Sequence, residues 1–137
     1  MSQTRVLAFG SFDILHEGHK YFLTEARKTG DYLTVVVSRD GYIRDSKRRE
    51  PSVREEERVE AVTKLAIADE VMLGDEASGY GLLKELSFDV LVVGYDQKPS
   101  DTAIRRLLDD AGKKEVRLVR LPPYKPETYK SSLLRKA

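Results

Sequence analysis

The sequence is most informative at Gly10-Ser11-Phe12-Asp13-Ile14-Leu15-His16-Glu17-Gly18-His19. The apolar run at 6–9 that precedes this stretch has the length of a buried parallel strand, and apolar residues recur at helical spacing at 20–28 after it. The stretch is therefore predicted to join a strand to a helix. Gly10 permits close approach of the backbone to a ligand, and the free N–H groups that begin the helix favour an anion.

The two histidines of this stretch are three residues apart, so both imidazoles lie on one helix face if the first turn begins near His16. Imidazoles beside backbone donors suit nucleotidyl transfer, in which a phosphate oxygen attacks the α-phosphorus of a nucleoside triphosphate and pyrophosphate leaves. A zinc site would need carboxylate ligands as well, because the chain has no other histidine and no cysteine. Two merely buried histidines would not explain Gly10.

The composition predicts one domain over residues 1–137, since this length supports a single core. The net charge is +1, with 24 Lys and Arg against 23 Asp and Glu, so no electrostatic attraction to nucleic acid or to an anionic membrane is expected. No run approaches the roughly 20 apolar residues of a membrane span. The apolar run near the N-terminus is too short for a signal peptide, so we expect a cytoplasmic protein. Cysteine is absent, which rules out disulfides but does not by itself fix the compartment.

Five apolar runs alternate with helical patterns, which predicts an α/β fold with a doubly wound, Rossmann-like parallel sheet. In the strand order 3-2-1-4-5 the winding reverses between strands one and four, and ligands bind at such a reversal. This order places the Gly10 turn beside Gly94-Tyr95-Asp96. The predicted strands are residues 6–9, 32–37, 70–73, 88–93 and 116–121, the last at an edge.

Local signals give further predictions along the chain. The basic, non-periodic residues 44–51 indicate a loop, and Ser52 with Glu55 forms a capping box for the next helix. Residues 81–86 predict a brief helix. Ser100 or Asp101 caps a helix that Gly112 closes, and a short helix is predicted from Ser131 or Ser132.

The pattern Gly10-x-Phe12-Asp13-x-x-His16-x-Gly18-His19 resembles the signature of the cytidylyltransferase-like nucleotidyltransferases. Over nearly the whole chain the sequence is most similar to archaeal-type FAD synthases, which adenylylate FMN. The matching segments include Arg39-Asp40, the basic residues through Pro51, and Gly94-Tyr95-Asp96-Gln97. The chain lacks both the tail cysteines of those synthases and the Arg-Thr-x-Gly-Ile-Ser-Thr-Thr run of glycerol-3-phosphate enzymes.

The motif and the resemblance together give a set of candidate site residues. Asp13 either orients Mg²⁺ or structures its loop, and the sequence does not separate these roles. The resemblance assigns the acceptor's phosphate to Lys47 and gives Asp96 to the ribose or base. The catalytic candidates are His16, His19, Lys47 and Lys130; those for the nucleotide are Gly10, Ser11, Phe12, Gly18, Gly94, Asp96, Ser131 and Ser132; those for the acceptor are Asp13, Lys47, Arg58 and Tyr124.

The resemblance implies transfer of a nucleoside monophosphate from ATP or CTP to a phosphorylated acceptor, preferably FMN. It also implies a homodimer. Mg²⁺ is expected with the triphosphate and without a dedicated protein site. The alternatives are a glycerol-3-phosphate cytidylyltransferase, a sugar-phosphate adenylyltransferase of lipopolysaccharide core synthesis, and a nucleotide-binding module without turnover.

Overall fold

The structure, a computed structural model, describes residues 3–75, 81–95, 97 and 100–122, without the side chains of Ser46 and Lys47. Strands and helices alternate through most of this part of the chain. In chain order they are β1 (Arg5–Gly10), α1 (Glu17–Arg27), β2 (Tyr32–Val37), α2 (Asp40–Lys47), α3 (Glu55–Lys64), β3 (Glu70–Leu73), a 3-10 turn (Gly81–Leu83), β4 (Val90–Val93), α4 (Asp101–Asp110) and β5 (Arg117–Arg120).

The described strands form one parallel sheet in the order β3-β2-β1-β4-β5, so the predicted fold and strand order are confirmed. β1 lies at the centre and pairs with β2 from Arg5 through Gly10. Its pairing with β4 ends earlier, at Ala8 and Val92. The two central strands therefore separate at their carboxyl ends, where the winding of the sheet reverses.

Two apolar clusters fill the two faces of the sheet. α1 and α3 cover one face through Leu23 and Val62, which belong to the same apolar cluster as Ala8 of β1. α4 covers the other face through Ile104 and Leu108. This division follows from right-handed crossovers, because connections that proceed in opposite directions from the sheet centre lie on opposite faces. None of the helices described is long and apolar enough to cross a membrane.

Several local predictions are confirmed. β2 and β3 have the predicted bounds, and β5 lies at a sheet edge, although it is shorter than expected. The Ser100 hydroxyl caps α4 by accepting a hydrogen bond from Ala103 N at 3.3 Å. Gly112 follows α4 with a φ of 77°, the left-handed conformation that favours glycine. The predicted helix at 81–86 is reduced to the 3-10 turn, and the tail from Ser131 lies outside the described residues.

Two predictions between β2 and β3 are wrong. Much of the predicted loop at 44–51 belongs to α2, which the buried Ile43 anchors. The predicted capping box does not form, because α3 begins at Glu55 and the Glu55 carboxylate accepts hydrogen bonds from Asp40 N at 2.8 Å and from Arg39 at 3.3 Å. Glu55 thus stabilises the start of α2 instead of its own helix.

The turn after β1 is fixed by a buried aromatic ring. Phe12 has a φ of 52°, which is uncommon for a residue other than glycine, and only 3% of its surface is exposed. Its ring lies over Gly10, where an added Cβ would come within 2.6 Å of two ring carbons. Gly10 is therefore required by the packing of Phe12 in addition to any approach of a ligand.

We predict that Gly10→Ala destabilises the protein by about 1–3 kcal/mol, because the buried Phe12 ring cannot move without disturbing the core. Gly41→Ala is the matched control. A Cβ at Gly41 meets nothing within 4 Å, and alanine favours the helix, so this variant should be at least as stable as the wild type. Urea unfolding measures both free energies. Equal stability of the two variants would contradict this account of Gly10.

Candidate active site

The candidate site lies at the carboxyl ends of β1 and β4, beside the N-terminus of α1. The Gly10 turn connects β1 to this helix. His16 is the N-cap residue of α1, and its backbone is extended. The first turn thus begins near His16, which is the condition under which both imidazoles were expected on one helix face. Gly18 and His19 lie in the first turn, where the positive end of the helix dipole favours an anion.

The two imidazoles are packed together and are oriented by the backbone. Their ring centroids are 4.0 Å apart. His16 Nδ1 accepts a hydrogen bond from Gly18 N at 3.0 Å, and His19 Nδ1 accepts one from His16 N at 3.2 Å. Since each Nδ1 is an acceptor, each neutral ring carries its proton on Nε2. The turn therefore selects the tautomer in which Nε2 is the hydrogen-bond donor.

The environment of His16 also favours its neutral form. Burial lowers the pKa of His16 below its ordinary value, because desolvation disfavours the imidazolium, and the neighbouring Glu17 carboxylate opposes this effect more weakly. A neutral imidazole at a helix N-terminus can donate through Nε2 while its Nδ1 caps the helix. This arrangement can hold a phosphate oxygen without a proton transfer.

The Phe12 ring is used for packing. It contacts the ring of His19 at a centroid distance of 5.5 Å and that of Phe22 at 6.4 Å. Its burial places it in the core beneath the histidines. The predicted role of Phe12 in nucleotide binding stays an untested prediction. Gly10, Ser11 and Gly18 are partly exposed around the same turn.

Asp13 links the Gly10 turn to the segment between α2 and α3. Its carboxylate accepts hydrogen bonds from Ser52 N at 3.0 Å and Val53 N at 2.9 Å, and it pairs with Arg49 at 3.2 Å. Only 3% of Asp13 is exposed. Of its two predicted roles, these contacts favour structuring the loop, and direct binding of acceptor or metal stays an untested prediction.

Arg58 is fully buried and holds three loops through main-chain oxygens. Its Nη1 donates to Ser11 O at 2.8 Å and to Ser38 O at 2.6 Å, and its Nε donates to Val53 O at 2.8 Å. Asp40 neutralises its charge through an ion pair at 2.5 Å. Because none of the surface of Arg58 is exposed, these contacts favour a structural role over the predicted contact with the acceptor. Direct binding of the acceptor by Arg58 stays an untested prediction.

The turn after β4 lies against the turn after β1, as the predicted sheet order requires. The Gln97 side chain accepts from Gly94 N at 2.6 Å and donates to Phe9 O at 2.8 Å, so it spans the two turns. Tyr95 is 37% exposed at this place. Six predicted site residues have no described side chain. The backbone of Lys47 is described and ends α2, whereas Asp96, Tyr124, Lys130, Ser131 and Ser132 lie outside the described residues.

The sequence analysis did not identify Gln97, Arg120 or Asp40 as site components. Asp40 follows the carboxyl end of β2 closely, so the rule that placed Gly94 at the site would also have placed Asp40 there. The resemblance included Gln97 in its Gly94 segment but gave it no role, because its contacts with Gly94 N and Phe9 O depend on the fold. No sequence signal marks Arg120, whose partners are backbone oxygens of the Gly94 turn and the Asp101 carboxylate. Within the described residues, no group of three or more His, Asp or Glu side chains could hold a metal ion.

Comparisons with known proteins agree with this fold. The pattern of the cytidylyltransferase-like family matches residues 7–137. The chain belongs to the cytidylyltransferase-like family. It is 42% identical over 109 residues to the FAD synthase of Methanohalobium evestigatum, covering 80% of this chain and 71% of that protein. It is 39% identical over 129 residues to the FAD synthase of Methanocella paludicola, covering 94% and 91%.

A solved structure of a family relative has the same fold. The lipopolysaccharide core biosynthesis protein of Thermoplasma volcanium superimposes with a TM-score of 0.84 at 35% sequence identity. The match covers 90% of this chain and all of that one. The predicted membership of the cytidylyltransferase-like family, with its similarity to archaeal-type FAD synthases, is thus confirmed.

The lowered pKa of His16 predicts a specific pH dependence of stability. In the unfolded chain this imidazole takes up a proton near its ordinary pKa of 6.5, whereas in the folded protein it does so only at lower pH. The unfolded state therefore binds more protons in the interval below pH 6.5, and the free energy of unfolding decreases as the pH falls through it.

NMR titration of the His16 ring, assigned with a His19→Gln variant, measures this pKa. A value above 6.5 would contradict the proposed environment.

Proposed function

We propose that this protein is an FMN adenylyltransferase that forms FAD and pyrophosphate from FMN and ATP. The observation that carries the proposal is the pair of imidazoles at the N-terminus of α1, each held by a backbone N–H in the tautomer that donates through Nε2. The similarity to FAD synthases supports FMN as the acceptor and ATP, rather than CTP, as the nucleotide.

In the proposed reaction an oxygen of the FMN phosphate forms a bond to the α-phosphorus of ATP. The bond from that phosphorus to the bridging oxygen breaks, and pyrophosphate leaves with the electron pair. Negative charge grows on the α-phosphate oxygens and on the leaving group. The Nε2–H groups of His16 and His19, with the positive end of the α1 helix dipole, would stabilise this charge.

The other predicted residues have proposed places in this scheme. Lys47 would hold the acceptor's phosphate, and Asp96 would hold the ribose or base at the turn after β4. Lys130, Ser131 and Ser132 would bind the triphosphate, and Tyr124 would contact the acceptor. Asp13 and Arg58 would act through the turn that they hold.

Magnesium would enter as the complex with ATP. Triphosphates bind Mg²⁺ largely through their own oxygens. A single domain over residues 1–137, a homodimer and a cytoplasmic location stay predictions.

The decisive experiment for the acceptor is a screen with MgATP or MgCTP against FMN, glycerol 3-phosphate and heptose 1-phosphate. We expect FAD and pyrophosphate in equal amounts from FMN and ATP, because the similarity to an FAD synthase extends over 94% of the chain. Product with glycerol 3-phosphate or heptose 1-phosphate, and none with FMN, would overturn the proposed acceptor. Binding of nucleotide without any turnover would instead support a nucleotide-binding module.

The substitution His16→Asn separates capping from catalysis. Asparagine is a good N-cap residue, so its side-chain oxygen can accept from Gly18 N and keep α1 intact. It removes the Nε2 donor, and loss of one such donor costs roughly 10²–10³ in kcat. We therefore expect a stable variant, within about 1 kcal/mol of the wild type by urea unfolding, with kcat reduced by that factor. Wild-type kcat in His16→Asn would remove His16 from the mechanism.

A further inference from the structure

The carboxyl ends of the two central strands are joined by a side chain instead of by backbone pairing. β1 and β4 are paired as far as Ala8 and Val92, and β1 continues beside β2 to Gly10. Beyond Ala8 the strands have no further register partners in the described sheet. The Gln97 amide lies at this opening, which is also the place where ligands bind in sheets of this type.

The contacts of Gln97 resemble those of a peptide group in a sheet. Its Oε1 accepts from Gly94 N at 2.6 Å, and its Nε2 donates to Phe9 O at 2.8 Å. A side-chain amide offers both a donor and an acceptor, as a backbone peptide does. Gln97 can therefore replace one rung of the missing ladder while the strands stay apart. A longer backbone ladder would close the opening.

Arg120 of β5 holds the same turn from its other side. Its Nη1 donates to Gly94 O at 2.7 Å and to Gln97 O at 3.0 Å, and its Nε pairs with Asp101 at the start of α4 at 2.6 Å. Hydrogen bonds from an ionised donor are stronger than those between neutral groups. The main chain that carries Gln97 is thus fixed to β5 and α4, which gives the amide a rigid support.

We propose that Gln97 is a positioning residue that sets the separation between the Gly10 turn and the Gly94 turn, and so the width of the nucleotide site. The proposal rests on the proposed function for its kinetic consequences. Without the amide, the Gly94 turn would sample several positions relative to Gly10. If the competent position were populated a tenth of the time, the apparent affinity for ATP would fall tenfold.

The test compares two substitutions at Gln97 with the same substitutions at Gln3, the other glutamine of the chain, which is exposed. Methionine has a similar length and cannot replace either hydrogen bond. In Gln97→Met we expect exchange of the Gly94 amide proton, followed by NMR, to be at least tenfold faster. The KM for ATP should rise about tenfold, while the KM for FMN changes less than twofold. Gln3→Met should leave all three values unchanged.

Gln97→Glu provides a rescue experiment within one variant. The ionised carboxylate accepts from Gly94 N but repels Phe9 O, whereas the protonated carboxyl can accept from the first and donate to the second. The kcat/KM for ATP of this variant, divided by that of the wild type at the same pH, should therefore rise as the pH falls from 8 toward 5. Gln3→Glu should give a ratio that does not change with pH.

The outcomes separate this proposal from the proposed function. An unchanged exchange rate at Gly94 in Gln97→Met would overturn the positioning role, whatever the activity. A kcat/KM ratio for Gln97→Glu that is independent of pH would also overturn the positioning role. This second measurement tests the role even if the methionine variant does not fold. A wild-type protein that makes no FAD would overturn FMN adenylylation, and the exchange rate of Gly94 would still decide the role of Gln97.

Discussion

The geometry of the candidate site depends on one buried positive charge, the guanidinium of Arg58. Removing this group from water is costly, and the structure offsets the cost with the Asp40 carboxylate and three backbone oxygens. Those oxygens belong to Ser11, Ser38 and Val53, so one side chain connects the turns after β1 and β2 with the segment before α3. Loss of either partner in a buried ion pair typically costs about 3–5 kcal/mol. The Gly10 turn is thus held by the fold before any substrate arrives.

The same turn is restrained by hydrogen bonds to backbone groups and by the packing of a buried ring. Asp13 ties it to Ser52 and Val53, and the Gln97 amide ties the end of β1 to the turn after β4. The Phe12 ring lies beneath it, next to His19. A site that stabilises charge gains most when its donors are already in place, because reorientation during the reaction would cost energy. The described structure supplies this preorganisation around the two imidazoles.

The sheet could be predicted because a strand buried on both faces shows itself as a continuous apolar run, as residues 32–37 and 90–93 do. The proximity of the two histidines could be predicted because it depends only on residues within one helical turn. Helix α2 could not be predicted from local signals. It is stabilised by the hydrogen bond from Asp40 N to the Glu55 carboxylate and by the burial of Ile43, and both are tertiary contacts. The role of Gln97 was equally hidden, because its amide bonds to Phe9, 88 residues earlier in the chain. Long-range contacts of polar side chains leave no periodic signal.

The central claim is that the turn after β1, the two imidazoles and the turn after β4 together form a triphosphate site. A crystal structure with Mg²⁺ and a non-hydrolysable ATP analogue tests it most directly. The account predicts phosphate oxygens within hydrogen-bond distance of Nε2 of His16 and of His19 at the start of α1, with the nucleoside beside the Gly94 turn. An analogue bound elsewhere, or bound here with both imidazoles turned away from its phosphates, would contradict the account.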